Sequence, residues 1–131
     1  MAGKEGRLPA LSDGQLALMN AIWDEGEATV ADVWKRLSNS RPLARNTVQT
    51  MMTRLEDKGW LRHRTVGKAF LYSATVPRSR MLRRMVRSLV DTAFRGSTED
   101  LVATLLKGQR LSSEEALRIR RMIERAKGGG A

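Results

Sequence analysis

The chain has 131 residues, 41% hydrophobic content and a formal charge of +10, enough for one modest core, or a small domain with an oligomerisation element. So basic a balance favours nucleic acid or an anionic membrane surface as partner. With no cysteine, disulfides, thiolate metal sites and thiol nucleophiles are excluded, and no apolar run is long enough to span a bilayer.

Residues 1–10 read as a flexible tail with no signal-peptide core behind Met1–Arg7, so a cytoplasmic location without membrane insertion is expected. Ser12 with Gln15 forms a capping box, opening a helix whose apolar positions Leu16, Met19, Ala21, Ile22 and Trp23 run up to Gly26. Thr29 with Asp32 opens a shorter helix carrying Val30, Val33, Trp34 and Leu37, which residues 38–42 break. A third helix is predicted over residues 44–58 and ends at Gly59. At about 100° per residue, its Val48, Met51, Met52 and Leu55 share one face, while Arg45, Asn46, Gln49, Thr50 and Thr53 share the other. Trp60–Val66 and Ala69–Thr75 then flank Gly67-Lys68 as alternating strands. Leu61, Phe70 and Tyr72 are the expected inward positions, with Arg62 and Arg64 together on the outer face.

Three helices and a hairpin in this order specify a mostly α fold with a small β-wing: a winged helix-turn-helix over residues 11–77, with Gly67-Lys68 as wing tip. The polar face of the third helix is rich in side chains that hydrogen-bond base edges, which makes double-stranded DNA the expected ligand. Arg45, Asn46, Gln49, Thr50 and Thr53 are the candidate base readers. Charge is also segregated along the chain. Residues 12–40 carry two cations against five acids, whereas residues 41–68 carry seven cations against two acids, the footprint of a polyanion-binding surface. Arg41, Arg54, Arg62, Arg64 and Lys68 are the candidate phosphate contacts. Glu56 and Asp57 close the helix, so it should enter a groove N-terminus first. The competing reading is a winged helix that docks an acidic protein partner without reading DNA.

After Pro77 the composition changes, and residues 78–127 read as a helical dimerisation domain followed by a frayed tail at 128–131. Its first helix, from about Ser79 to Arg95, bears the pairs Met81/Leu82, Met85/Val86, Leu89/Val90 and Ala93/Phe94. Ser97 with Asp100 caps a second helix through Leu101, Val102, Leu105 and Leu106; Ser112 with Glu115 opens a third through Ile119, Met122, Ile123 and Ala126. Some fifty residues in three helices bury too little alone. Leu82, Val86, Leu89, Val90, Phe94, Leu101, Leu105, Ile119 and Ile123 are therefore expected to meet a second copy of the chain, the alternative being that they fold back on the winged unit.

Catalysis is not expected, and neither is a metal or other cofactor. His63 is the sole histidine and lacks the partners of a metal or acid–base centre, while Glu56 and Asp57, adjacent on a helix, point about 100° apart. Trp23, Trp34 and Trp60 suit core packing better than a stacking platform for single strands.

The element order, the Asn46-Thr47-Val48-Gln49-Thr50 helix start, Arg54-Leu55 followed by Lys58-Gly59, the Gly67-Lys68 wing with Phe70 and Tyr72, and the Leu101-Val102 helix resemble the penicillinase-repressor family of bacterial regulators. The resemblance runs from about Leu11 to Lys127. It implies a homodimeric repressor on an inverted-repeat operator, dimerised through its C-terminal helices. It also implies a candidate protein partner, a membrane metallopeptidase sensor or other protease that relieves repression by cutting the C-terminal domain. Three departures stand out. Members often begin the recognition helix with Ser-Pro, where this chain has Ala44-Arg45; the Asn-Phe scissile step of antibiotic-responsive members is replaced by Thr104-Leu105; and the cysteine pairs of copper-responsive members are missing.

Overall fold

Helix starts are fixed locally by side-chain hydrogen bonds. Ser12 Oγ accepts from the Gln15 amide at 3.2 Å while Gln15 Oε1 accepts from the Ser12 amide at 2.9 Å, and Thr29 and Asp32 repeat the exchange at 3.1 and 3.0 Å. Each box satisfies two backbone donors that a helix start otherwise leaves open. The computed structural model describes residues 8–129, in the order α1 (Asp13–Glu25), α2 (Val30–Ser38), α3 (Arg45–Asp57), β1 (Leu61–Val66), β2 (Ala69–Ala74), α4 (Arg78–Thr92), α5 (Thr98–Lys107) and α6 (Ser113–Gly129). Gly26, at φ 84°, and Gly59, at φ 96°, turn the chain out of α1 and α3 through the left-handed region that side chains disfavour.

These elements fall into two compact units, residues 8–83 and 84–129. In the first, Leu18, Met19 and Ile22 of α1, Val33 of α2, and Val48, Met52 and Leu55 of α3 are all fully buried, and Leu61 and Tyr72 close the core from the hairpin. Each such side chain contributes about 1.5–3 kcal/mol through apolar burial. Trp60 lies within this core and Trp23 and Trp34 pack against it, and all three tie connections to it. Trp23 Nε1 donates to the Val76 carbonyl at 2.9 Å, Trp34 Nε1 to Leu43 at 2.7 Å and Trp60 Nε1 to Pro9 at 3.0 Å. Thus the entry, the α2–α3 turn and the exit from the hairpin are each held by an indole.

The strands pair antiparallel from Leu61↔Ala74 to Val66↔Ala69, with Gly67-Lys68 as the tip. A single-residue third strand joins them: the Ala28 amide donates to the Tyr72 carbonyl at 3.0 Å, and the Tyr72 amide returns a bond to Ala28 at 2.8 Å. This bridge lies in the α1–α2 loop and has no signature in the sequence.

Several expectations are corrected. Phe70 faces the same side as Tyr72 but is 47% exposed, because it pairs opposite Thr65 near the wing tip, beyond the helical core. Leu8 is only 5% exposed and joins the core, and the Pro9 carbonyl receives the Trp60 indole, so these two residues of the expected tail are held. Residues 1–7 and 130–131 of the expected tails lie outside the described residues. Met81 is buried in the first core, so the division between units falls after Arg83 rather than at Pro77. Gly128 and Gly129 continue α6.

In the second unit, the Ser97 and Ser112 hydroxyls accept from the Asp100 and Glu115 amides, each at 3.0 Å. Much apolar surface there stays uncovered: Val86, Leu89, Leu105, Leu106, Met122 and Ile123 are 45–57% exposed. Leu82, in the first unit, is exposed as well. Phe94, Leu101 and Ile119 are half-buried. Val90, expected on a dimer seam, is only 3% exposed and is therefore occupied within the single chain.

Leu55 joins α3 to the core with no exposed surface. Leu55→Ala should cost about 2–5 kcal/mol, measured as a lower urea midpoint with an unchanged slope for the unfolding transition of the winged unit.

Candidate nucleic-acid interface

The interface is built on α3, whose buried stripe of Val48, Met52 and Leu55 fixes its rotation about its own axis. Arg45, Asn46, Gln49, Thr50, Thr53 and Arg54 are consequently exposed. The side chains of Arg45, Asn46, Gln49, Thr50 and Arg54 make no hydrogen bond or ion pair among the described residues, so their donors and acceptors stand open to a ligand. Thr53 differs, because its hydroxyl donates to the Gln49 carbonyl at 3.0 Å. It retains acceptor capacity and a methyl group but has less freedom to read a base. Ala44 supplies no side-chain cap, so the positive end of the helix dipole lies uncapped next to Arg45 and Asn46.

The wing is held to the helices by two carboxylates. On its inner face, His63 Nδ1 lies 2.7 and 2.8 Å from the Glu56 carboxylate oxygens, while its ring stacks on Phe70 at 4.0 Å between centroids and tilts against Tyr72 at 5.4 Å. The last turn of α3 is thereby fastened to both strands. Tyr72 has its phenol pushed above the ordinary value by burial and by the Glu56 charge. On the outer face, Arg64 donates from Nε and Nη2 to the Glu27 carboxylate at 2.8 and 2.9 Å, a bidentate pair. Arg64, expected as a phosphate contact, therefore already has an internal partner, whereas Arg62 and Lys68 are exposed and unpaired among the described residues. Arg41 sits elsewhere, over Gly14 in a shallow hollow lined by Asp13, Leu37 and Met51 at the start of α1.

Neither carboxylate latch was visible in the sequence. Glu56 and His63 are seven residues apart across a turn, and Glu27 and Arg64 are thirty-seven apart, so only the hairpin register and the Ala28 bridge bring them together. Acidic residues upstream are also partly spent, since Asp24 and Glu25 both pair with Arg36, at 2.6 and 3.0 Å.

The family model described as the penicillinase repressor matches residues 11–125. The chain belongs to the penicillinase repressor family. The penicillinase repressor of Bacillus licheniformis is 29% identical over 92% of this chain and 94% of its own length. The methicillin resistance regulatory protein MecI of Staphylococcus aureus is 22% identical over 88% of this chain and 94% of its own. Among solved structures, the DNA binding domain of the repressor BlaI is 35% identical, with a TM-score of 0.50, over 55% of this chain and 88% of that one. MarR from E. coli matches 88% of this chain and 77% of its own at a TM-score of 0.52 and 19% identity, a likeness of fold. The family is one of repressors, not of enzymes. No helix among the described residues is long and apolar enough to cross a membrane.

Hydrogen bonds from Arg64 hold the Glu27 carboxyl below the ordinary glutamate value. The pair's contribution is therefore complete above the ordinary carboxylate value and is lost as pH falls through the lowered one. Because both groups are well exposed, that contribution is small. In a side-chain NMR titration Glu27 should ionise below the ordinary glutamate value, and Arg64→Ala should move it back toward that value.

Proposed function

We propose that this chain is a DNA-binding transcriptional repressor that works in the cytoplasm as a homodimer on an inverted-repeat operator. The observation that carries the reading is the two-sidedness of α3: one face is sealed in the core, and the other holds Arg45, Asn46, Gln49 and Thr50 exposed and unpaired. In a major groove, Asn and Gln pair with adenine, Arg with guanine, and Thr contacts a thymine methyl group. Arg54, Arg62 and Lys68, exposed and unpaired among the described residues, are the proposed phosphate contacts. Family membership and the BlaI DNA binding domain support the same reading.

Dimerisation is supported by the uncovered apolar side chains of α4, α5 and α6, among them Val86, Leu89, Leu105 and Ile123. A single helix-turn-helix reads few base pairs, and two copies on paired half-sites multiply affinity through linkage. Relief of repression by a membrane metallopeptidase sensor or another protease follows the family pattern. The Asn-Phe scissile step is not carried over to Thr104-Leu105, which lies inside α5.

Two experiments test this reading. Gln49→Ala and Thr50→Ala should each reduce discrimination between operator and random duplex by about 1–3 kcal/mol per lost base contact, with little change in non-specific affinity. Titration of the chain's own upstream promoter by mobility shift measures it; equal selectivity in both variants sinks α3 as the reader, and binding only to an acidic polypeptide replaces DNA with a protein partner. Leu89→Asp should produce monomers in sedimentation, because a charge buried at the seam without a counter-ion costs more than separation. Operator affinity should fall to that of one half-site while the winged unit stays folded.

A further inference from the structure

The exposed cations of the wing are not equivalent. Arg62 and Lys68 are unpaired among the described residues, whereas the Arg64 fork is filled by both oxygens of Glu27. A guanidinium fork that grips a carboxylate has the geometry that also grips a phosphate, and it cannot hold both with the same two donors. Glu27 is also fixed in place. Its backbone lies between Gly26, turned at φ 84°, and Ala28, pinned by two hydrogen bonds to Tyr72, so its carboxylate is preplaced against β1 at little further entropic cost.

We infer that Glu27 is an internal competitor for DNA phosphate, occupying Arg64 in the free protein and withholding that cation from the backbone contacts of the wing. The inference rests on the DNA-binding reading and adds a residue that tunes it. The two side chains are 61% and 42% exposed, so their exchange needs no core to open. Arg64 hydrogen bonding keeps the Glu27 carboxyl ionised well below neutral pH, so the competitor is charged under physiological conditions. Phosphate contacts supply non-specific binding and a large share of specific binding, so an occupied cation lowers both; base readout by α3 is untouched. Glu27 thereby lowers the strength and salt dependence of operator and random-sequence binding alike, without touching a base.

The test uses the full-length chain and a random-sequence duplex, with affinity measured over a range of salt. In the parent, Arg64→Ala should leave the slope of log K against log salt unchanged. Glu27→Gln should steepen it by about 0.9, the value of one added phosphate contact. The double variant, Glu27→Gln with Arg64→Ala, should return to the parental slope. That last arm separates competition for Arg64 from the general loss of one negative charge, which would persist when Arg64 is removed. Thermal melts of all four proteins establish that each is folded. An Arg64→Ala chain whose slope falls by the same amount in both backgrounds overturns the inference, because Arg64 then already contacts phosphate. A Glu27→Gln slope equal to the parent's overturns it as well. A parent and a Glu27→Gln chain that both ignore duplex DNA overturn the DNA-binding reading and this inference together, whereas a binding parent with an indifferent Glu27→Gln overturns the inference alone.

Discussion

Everything the winged unit presents to a ligand depends on α3 being buried along one side only. Val48, Met52 and Leu55 have no exposed surface, so the helix cannot rotate to hide its polar residues without exposing its apolar ones. Ala44 weakens the helix start by withholding a side-chain cap, and the turn before it is instead secured by the Trp34 indole on the Leu43 carbonyl. Packing and one long-range hydrogen bond thus replace a local capping interaction. The exchange leaves Arg45 and Asn46 beside an uncapped, positively polarised helix end.

Two polar contacts from β1 accompany the core residues that position the wing. β1 offers His63 to one side and Arg64 to the other, and each meets a carboxylate from a different part of the fold: Glu56 from the last turn of α3 and Glu27 from the α1–α2 loop. Glu56 carries negative charge at the end of the reading helix, where a phosphate would be repelled, yet its pairing with His63 gives that charge a structural use. Both latches lie near Tyr72, whose backbone receives the third strand and whose ring lies against His63. Small shifts in this strand would be felt at both faces of the wing.

The C-terminal unit obeys a different constraint. α5 and α6 each start on one side-chain cap, against two reciprocal bonds at α1 and α2, and their Leu105, Leu106, Met122 and Ile123 remain open to solvent in one chain. The helices form there while burial stays incomplete, the state expected of a segment whose stability would come from association. Val90 shows the boundary between the two roles, being buried already, while Leu89 next to it is exposed. The chain therefore joins a winged unit with a closed core to a helical unit whose apolar surface is largely uncovered.

The sequence by itself determined the starts of α1, α2, α5 and α6 and the ends of α1 and α3, because Ser12, Thr29, Ser97 and Ser112 act on amides only three residues away and Gly26 and Gly59 on their own backbone. It determined the two faces of α3 for a similar reason, since helical periodicity needs no knowledge of the rest of the chain. It also carried the family, through the order and spacing of elements from Leu11 to Lys127. Tertiary structure alone decided which of the exposed cations are unpaired, that Leu8 and Met81 enter the winged core, that Phe70 leaves it, and that Ala28 supplies a third strand. Each of these depends on contacts between residues distant in sequence, whose geometry is set by the packing of whole elements. Arg62 and Arg64 look alike two positions apart on one strand, and only the folded position of Glu27 makes them different.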